Sequence, residues 1–182
     1  MNSPALKEWG AVVLALLDGR QRVLLRKGGI HEKRFAVQAT EFVFFPTVAH
    51  SHAPRVRPEH HDVLAAAASD SDESAVVIRG GAKVVAAIEV QRPDNLNALA
   101  DLHIWTDESV RADRLDFRPR HRLTVLVVQA RPLLAPVTLP RLDHYAGCRS
   151  WVDVPLEPQW GTPVYGEDEL AAVADRVRTS VG

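Results

Sequence analysis

Arg26-Lys27-Gly28-Gly29 places two cations beside two residues without side chains. Bare backbone N–H groups next to positive charge can hold a phosphate or a carboxylate. The Gly-x4-Gly-Lys-Ser/Thr spacing of a P-loop is missing, so a tight turn after a strand is the competing explanation. His50, His52, His60 and His61, with Asp62, form the densest group of imidazoles in the chain. Extended backbone would bring His50 and His52 to one face. A metal site needs three or four such ligands to converge. The intervening Ala53-Pro-Arg-Val-Arg-Pro58 reads instead as an exposed cationic loop, and Arg55 in it suits a polyanion.

His103-Ile104-Trp105 and Tyr145 to Trp151 put aromatic and polar groups side by side. Trp105 or Trp151 would stack a base, with His103 or Arg149 reaching its edge or its phosphate. The alternative is that these indoles are core or rim anchors. Cys148 has Arg149 and His144 near it in sequence, but no spacing fixes a nucleophile's geometry. No Gly-x-Ser-x-Gly elbow is present. No catalytic residue, cofactor or metal is therefore assigned.

These residues must be positioned by elements that are partly readable. Trp9 to Leu17 followed by Arg22 to Arg26 fits either a helix feeding a strand or two strands turned at Asp18-Gly19, because a continuous apolar run has no period. Phe42 to Phe45 reads as a short strand stopped by Pro46, and Pro58 opens a helix through Ala68. Ala75–Arg79 and Lys83–Val90 read as a hairpin turned at Gly80-Gly81. Asp94 and Asp107 are candidate helix caps, for helices through His103 and about Arg114. Leu123 to Ala130 is almost wholly apolar and reads as a central strand, after which Pro132, Pro136 and Pro140 keep the chain extended. Glu167 to Val181 carries Leu170, Val173, Val177 and Val181 on one helical stripe. Strands with irregular connections predict an α+β fold with a mainly antiparallel, curled sheet or small barrel and flanking helices.

The 182 residues, 46% hydrophobic and 25% charged, suit a single domain. No apolar run approaches the roughly 20 residues that span a bilayer. No secretory leader is evident, and Cys148 is the sole cysteine, so no internal disulfide forms and cytoplasm is the expected compartment. The net charge of −1 hides blocks: nine Lys/Arg against five Asp/Glu in 1–61, six against eleven in 62–119, five against one in 120–149, and two against six thereafter. Two basic blocks can merge into one basic face despite overall neutrality.

Six strings occur in one order: Leu6-Lys-Glu-Trp9, Gly19-Arg-Gln21, Leu24-Leu-Arg-Lys-Gly-Gly-Ile30, Phe45-Pro-Thr47 with His50, His103-Ile-Trp105, and Tyr145-Ala-Gly-Cys-Arg-Ser-Trp151. Together they resemble the uncharacterised prokaryotic family catalogued as domain of unknown function 1802, over about 5–155, which leaves 156–182 as a C-terminal extension with its helix. Ser51 stands where the resemblance leads one to expect Gln. The family implies no activity. Phe42 to Phe45, Lys83 to Val90, and Leu123 through Pro136-Val-Thr-Leu139 are also similar in order to PUA-like domains, particularly their EVE and ASCH branches. That resemblance implies a small β-barrel binding RNA or modified bases. Glu89-Val-Gln91, after the Asp70/Asp72/Glu73 loop, is similar to the PD-(D/E)xK nucleases, although no Asp/Glu-x-Lys triplet exists.

The leading expectation is a non-enzymatic module for nucleic acid, either RNA or DNA, or for a nucleotide. Its ligand residues would be Arg26, Lys27, Gly28, Gly29, His50, Arg55, His103, Trp105, Arg149 and Trp151. The alternatives are a metal-dependent phosphodiesterase built on Glu89 and a protein-interaction domain.

Overall fold

A computed structural model describes residues 1–28, 33–48 and 52–182 of the chain. Strand β1 (Ser3–Trp9) runs directly into helix α1 (Gly10–Leu17). The helix stops at Gly19, whose φ of +88° only glycine adopts cheaply. Arg20 N–H reaches Ala15 O and Gly19 N–H reaches Leu16 O, the double bond of a Schellman stop. Of the two readings left open for this stretch, the helix feeding a strand is the one adopted, with β2 at Val23–Lys27.

Strand β3 (Glu41–Thr47), helix α2 (His61–Ala67), the long β4 (Ala75–Glu89) and helix α3 (Asp107–Val110) follow. Then come β5 (Leu123–Pro140), β6 (Trp151–Val154) and helix α4 (Glu167–Val181). The strands form one sheet in the order β2-β5-β4-β3-β1-β6. Only β1 and β3 pair in parallel; the other four pairings are antiparallel. The fold is thus α+β with a mainly antiparallel sheet, as expected. The sheet is not closed, because β2 and β6 remain its two edges.

Three local expectations need correction. Gly80 and Gly81 do not turn a hairpin; they lie inside β4, opposite Pro132 and Arg131 of β5. A Cβ on Gly80 would stand 2.5 Å from Arg131 O, and one on Gly81 would press into Phe42 O, so the pair allows close strand approach beside a bulge. Asp94 caps no α-helix: residues 93–102 form a 3-10 helix opened by Pro93. Asp107 is not the cap of its helix either, since Thr106 Oγ1 accepts Ser109 N–H at 3.1 Å. Beyond α3 the chain continues as a π turn over 111–116.

Alternation along the strands separates two cores. Phe42 and Phe44 join Leu6, α1 and α4 on one face, while Val43 and Phe45 join Ala5, Tyr145 and Val152 on the other. Leu170, Val173, Val177 and Val181 are all buried, so the apolar stripe of α4 is the face docked on the sheet. Burying each large apolar side chain contributes about 1.5–3 kcal/mol.

Candidate functional site

The end of β1 organises one corner of the molecule. Glu8 is 5% exposed, and its carboxylate accepts from Trp9 N–H at 2.9 Å and from Arg26 Nη1 at 3.0 Å. Arg26 also donates to Lys7 O and lies 5.0 Å above the Phe35 ring. Phe35 stacks towards Trp151, which meets Phe42 edge-on at 5.1 Å and donates its indole N–H to Ala36 O. Arg114 approaches Glu8 from the π turn; burial lowers its pKa, Glu8 opposes that effect and Arg26 adds to it. The positive charge of Arg26 is therefore answered inside the protein.

Next to this pair, Trp9 stacks on His52 at 3.3 Å between centroids and takes the edge of Trp105 at 4.6 Å. Arg55 lies 5.9 Å from the Trp9 ring and pairs with Asp113 at 2.8 Å. Burial first, and Arg55 second, push the His52 pKa down to about 4. Trp105 is 5% exposed, with one neighbour already set against its ring, so it packs as an anchor. Arg57 donates to the carbonyls of His103 and Trp105 and ties the string His103-Ile104-Trp105 to the cationic loop.

The remaining expected site residues do not join that corner. Lys27 Nζ donates to Leu115 O at 3.4 Å, Phe117 O at 2.6 Å and Arg118 O at 3.0 Å, closing the end of the π turn. Gly28 is buried, and its carbonyl meets His121 Nδ1. Gly29 and His50 lie outside the described residues. His103 is buried and accepts Trp105 N–H on Nδ1. Arg149 is exposed on the far side of β1. Among the described residues, no group of three or more His, Cys, Asp or Glu side chains is arranged to hold a metal ion. Glu89 is engaged by Arg122 and Gln91.

Arg149 has two partners that the residue-by-residue reading missed. Lys7 Nζ is held by Gly147 O at 3.1 Å and by Tyr145 O, beside Arg149 and Arg141. Burial lowers the Lys7 pKa, and repulsion by Arg141 and Arg149 lowers it further. Arg141 donates to Ser71 Oγ and lies 5.9 Å from the Phe45 ring. Among the described residues, no carboxylate comes within 4.0 Å of any of these three cations. The excess of arginine over acid in residues 120–149 was the signal that could have found Arg141 and Arg149 together.

No described helix is long and apolar enough to cross a membrane. A comparison with curated proteins gives no match. Among solved structures, the chain is similar to the ASCH protein from Zymomonas mobilis, with 13% identity over 71% of each chain and a TM-score of 0.41. Two crystal structures of single-substitution variants of that protein reach TM-scores of 0.44. One is 14% identical over 94% of each chain; the other is 12% identical over 94% of this chain and 96% of that one. Four of the six strings quoted above meet around Glu8, Trp9, Arg26, Trp105 and Trp151. The family model described as Domain of unknown function (DUF1802) matches residues 5–176, and the chain belongs to that family.

Proposed function

We propose that this chain acts as one unit to bind nucleic acid or a nucleotide, without catalysis of its own. The observation that supports this reading is the group Lys7, Arg141 and Arg149, three neighbouring cations with no carboxylate in ion-pair contact among the described residues, Asp72 acting on Arg141 only from farther off. Lys7 and Arg141 meet only neutral acceptors, whereas other arginines are paired with carboxylates, as Arg26 is with Glu8 and Arg55 with Asp113. Phosphates arriving at Lys7, Arg141 and Arg149 relieve the mutual repulsion and release counterions. An exposed, unpaired Cys148 in the same loop suits a reducing compartment, the cytoplasm.

The test is fluorescence anisotropy with single-stranded RNA and DNA oligonucleotides at rising salt. Three neutralised phosphates predict a log–log slope of about −2. The variant Lys7→Ala/Arg141→Ala/Arg149→Ala should flatten that slope and weaken binding for every sequence alike. Binding that is undetectable, or independent of salt, removes the proposal.

A further inference from the structure

A second place on the surface carries polar groups that the fold does not use. Between the 3-10 helix at 93–102 and the α3–π segment lies a cleft of about 250 Å³, with His103 at its floor. His103 is 2% exposed. Its Nδ1 accepts Trp105 N–H at 3.1 Å, so in the neutral ring the hydrogen sits on Nε2. Burial, aided by Arg57, holds the ring neutral by pushing its pKa down to about 4. Among the described residues Nε2 has no protein acceptor, and His103 is one of the residues that line the cleft.

The cleft walls are equally uncommitted. Asp94, Asn97, Asp107 and Arg111 line it, and none has a side-chain hydrogen bond or ion pair to another described residue. Leu96 and Val110 supply an apolar wall. A fixed N–H donor at the floor rejects metal ions and ammonium groups, because no lone pair faces them. It calls for an acceptor, and the two exposed carboxylates can accept from a ligand's N–H groups. A planar lactam, whose carbonyl stands beside ring or exocyclic N–H groups, satisfies both at this size.

We propose that this cleft binds a lactam-type nucleobase, of the uracil or guanine kind, with its carbonyl on His103 Nε2–H and its N–H edge on Asp94 or Asp107. The proposal rests on the nucleic-acid reading for its choice of probe, and it adds a base subsite apart from the Lys7 group.

Titration with uridine, guanosine, cytidine and adenosine, followed through the His103 imidazole NMR signals, tests it. Nucleosides carry no phosphate, so binding here should be indifferent to salt and intact in the Lys7→Ala/Arg141→Ala/Arg149→Ala variant, which separates this result from the oligonucleotide one. Uridine or guanosine should move the His103 signals saturably and more tightly than cytidine or adenosine. Asp94→Asn or Asp107→Asn should weaken that binding roughly tenfold, as expected for one lost charge-assisted hydrogen bond. Both exposed carboxylates are replaceable without disturbing the core, so a folding failure does not mask the outcome. The proposal is overturned if no nucleoside at millimolar concentration shifts His103, or if the shifts survive both substitutions unchanged.

Discussion

Arg26 on β2 and Glu8 on β1 form an ion pair at 3.0 Å across strands that are not neighbours in the sheet. The curl of the sheet brings these strands together, and the pair, with Phe35 and Trp151 beside it, spans the gap that the open edge leaves. Both groups are shielded, Glu8 at 5% exposure and Arg26 at 15%. Breaking such a pair leaves charge without an answer, here on Arg26 and on nearby Arg114. Glu8→Gln should therefore cost about 3 kcal/mol in urea unfolding, well above a surface substitution. Glu8→Leu combined with Arg26→Met should recover part of that loss. If Glu8→Gln is neutral, the pair does not hold this corner.

Lys27 offers a sharper distinction between holding a ligand and holding the fold. Its three acceptors are all main-chain carbonyls at the end of the π turn. Lys27→Met keeps the aliphatic stem and removes the donors. It should lower stability by about 1–2 kcal/mol and leave oligonucleotide affinity at all salt concentrations unchanged. A loss of affinity with intact stability would restore Lys27 to the phosphate site expected from its glycine neighbours.

Where period and composition act locally, the sequence was legible. The stripe Leu170, Val173, Val177, Val181 defines α4 to its ends, and the apolar run from Leu123 is a strand. Gly80-Gly81 misled because a glycine pair signals either a turn or a close approach of backbones, and only the partner strand decides. The site was harder for the same reason. Glu8 is an ordinary residue in a strand until Arg26 arrives 18 positions later. Lys7 lies 134 and 142 positions from Arg141 and Arg149. Arg26, Trp105 and Trp151 were singled out as ligand contacts; the contacts they make are an ion pair with Glu8, burial beside Trp9, and an N–H bond to Ala36 O respectively. His103 was singled out as a contact to a base or phosphate, but only Trp105 N–H fixes which of its nitrogens carries the hydrogen.

Two buried imidazoles set a pH dependence. His52 and His103 both have pKa values pushed down to about 4, chiefly by burial. A depressed histidine pKa means that the unfolded chain binds the proton more readily than the folded one. Stability is then fully present above about pH 6.5, the unfolded value, and is lost as the pH falls towards 4. Between about pH 7.5 and pH 5.5, where carboxylates stay ionised, each ring should forfeit roughly 1 kcal/mol. Urea unfolding at the two pH values measures the sum, to which His60, also lowered by burial, adds in the same direction; His52→Gln should remove a part equal to that removed by His103→Gln. A pH-independent midpoint over this window would mean that neither ring is held neutral.

Gly81 tests the geometry of the sheet most directly. A Cβ there would lie 2.7 Å from Val43 Cα and inside van der Waals contact of Phe42 O, both on β3. Neither is the end of a flexible side chain, so β3 and β4 must separate to admit a methyl group. Gly81→Ala should cost more than about 4 kcal/mol or prevent folding, a range reserved for overpacked cores. Gly147→Ala is the control, because its Cβ meets nothing within 4 Å and only the φ of +91° is strained. That backbone strain predicts a loss of about 1 kcal/mol. Thermal unfolding of the two variants should separate them widely. Comparable midpoints would mean that β3 and β4 leave room for a methyl group at Gly81.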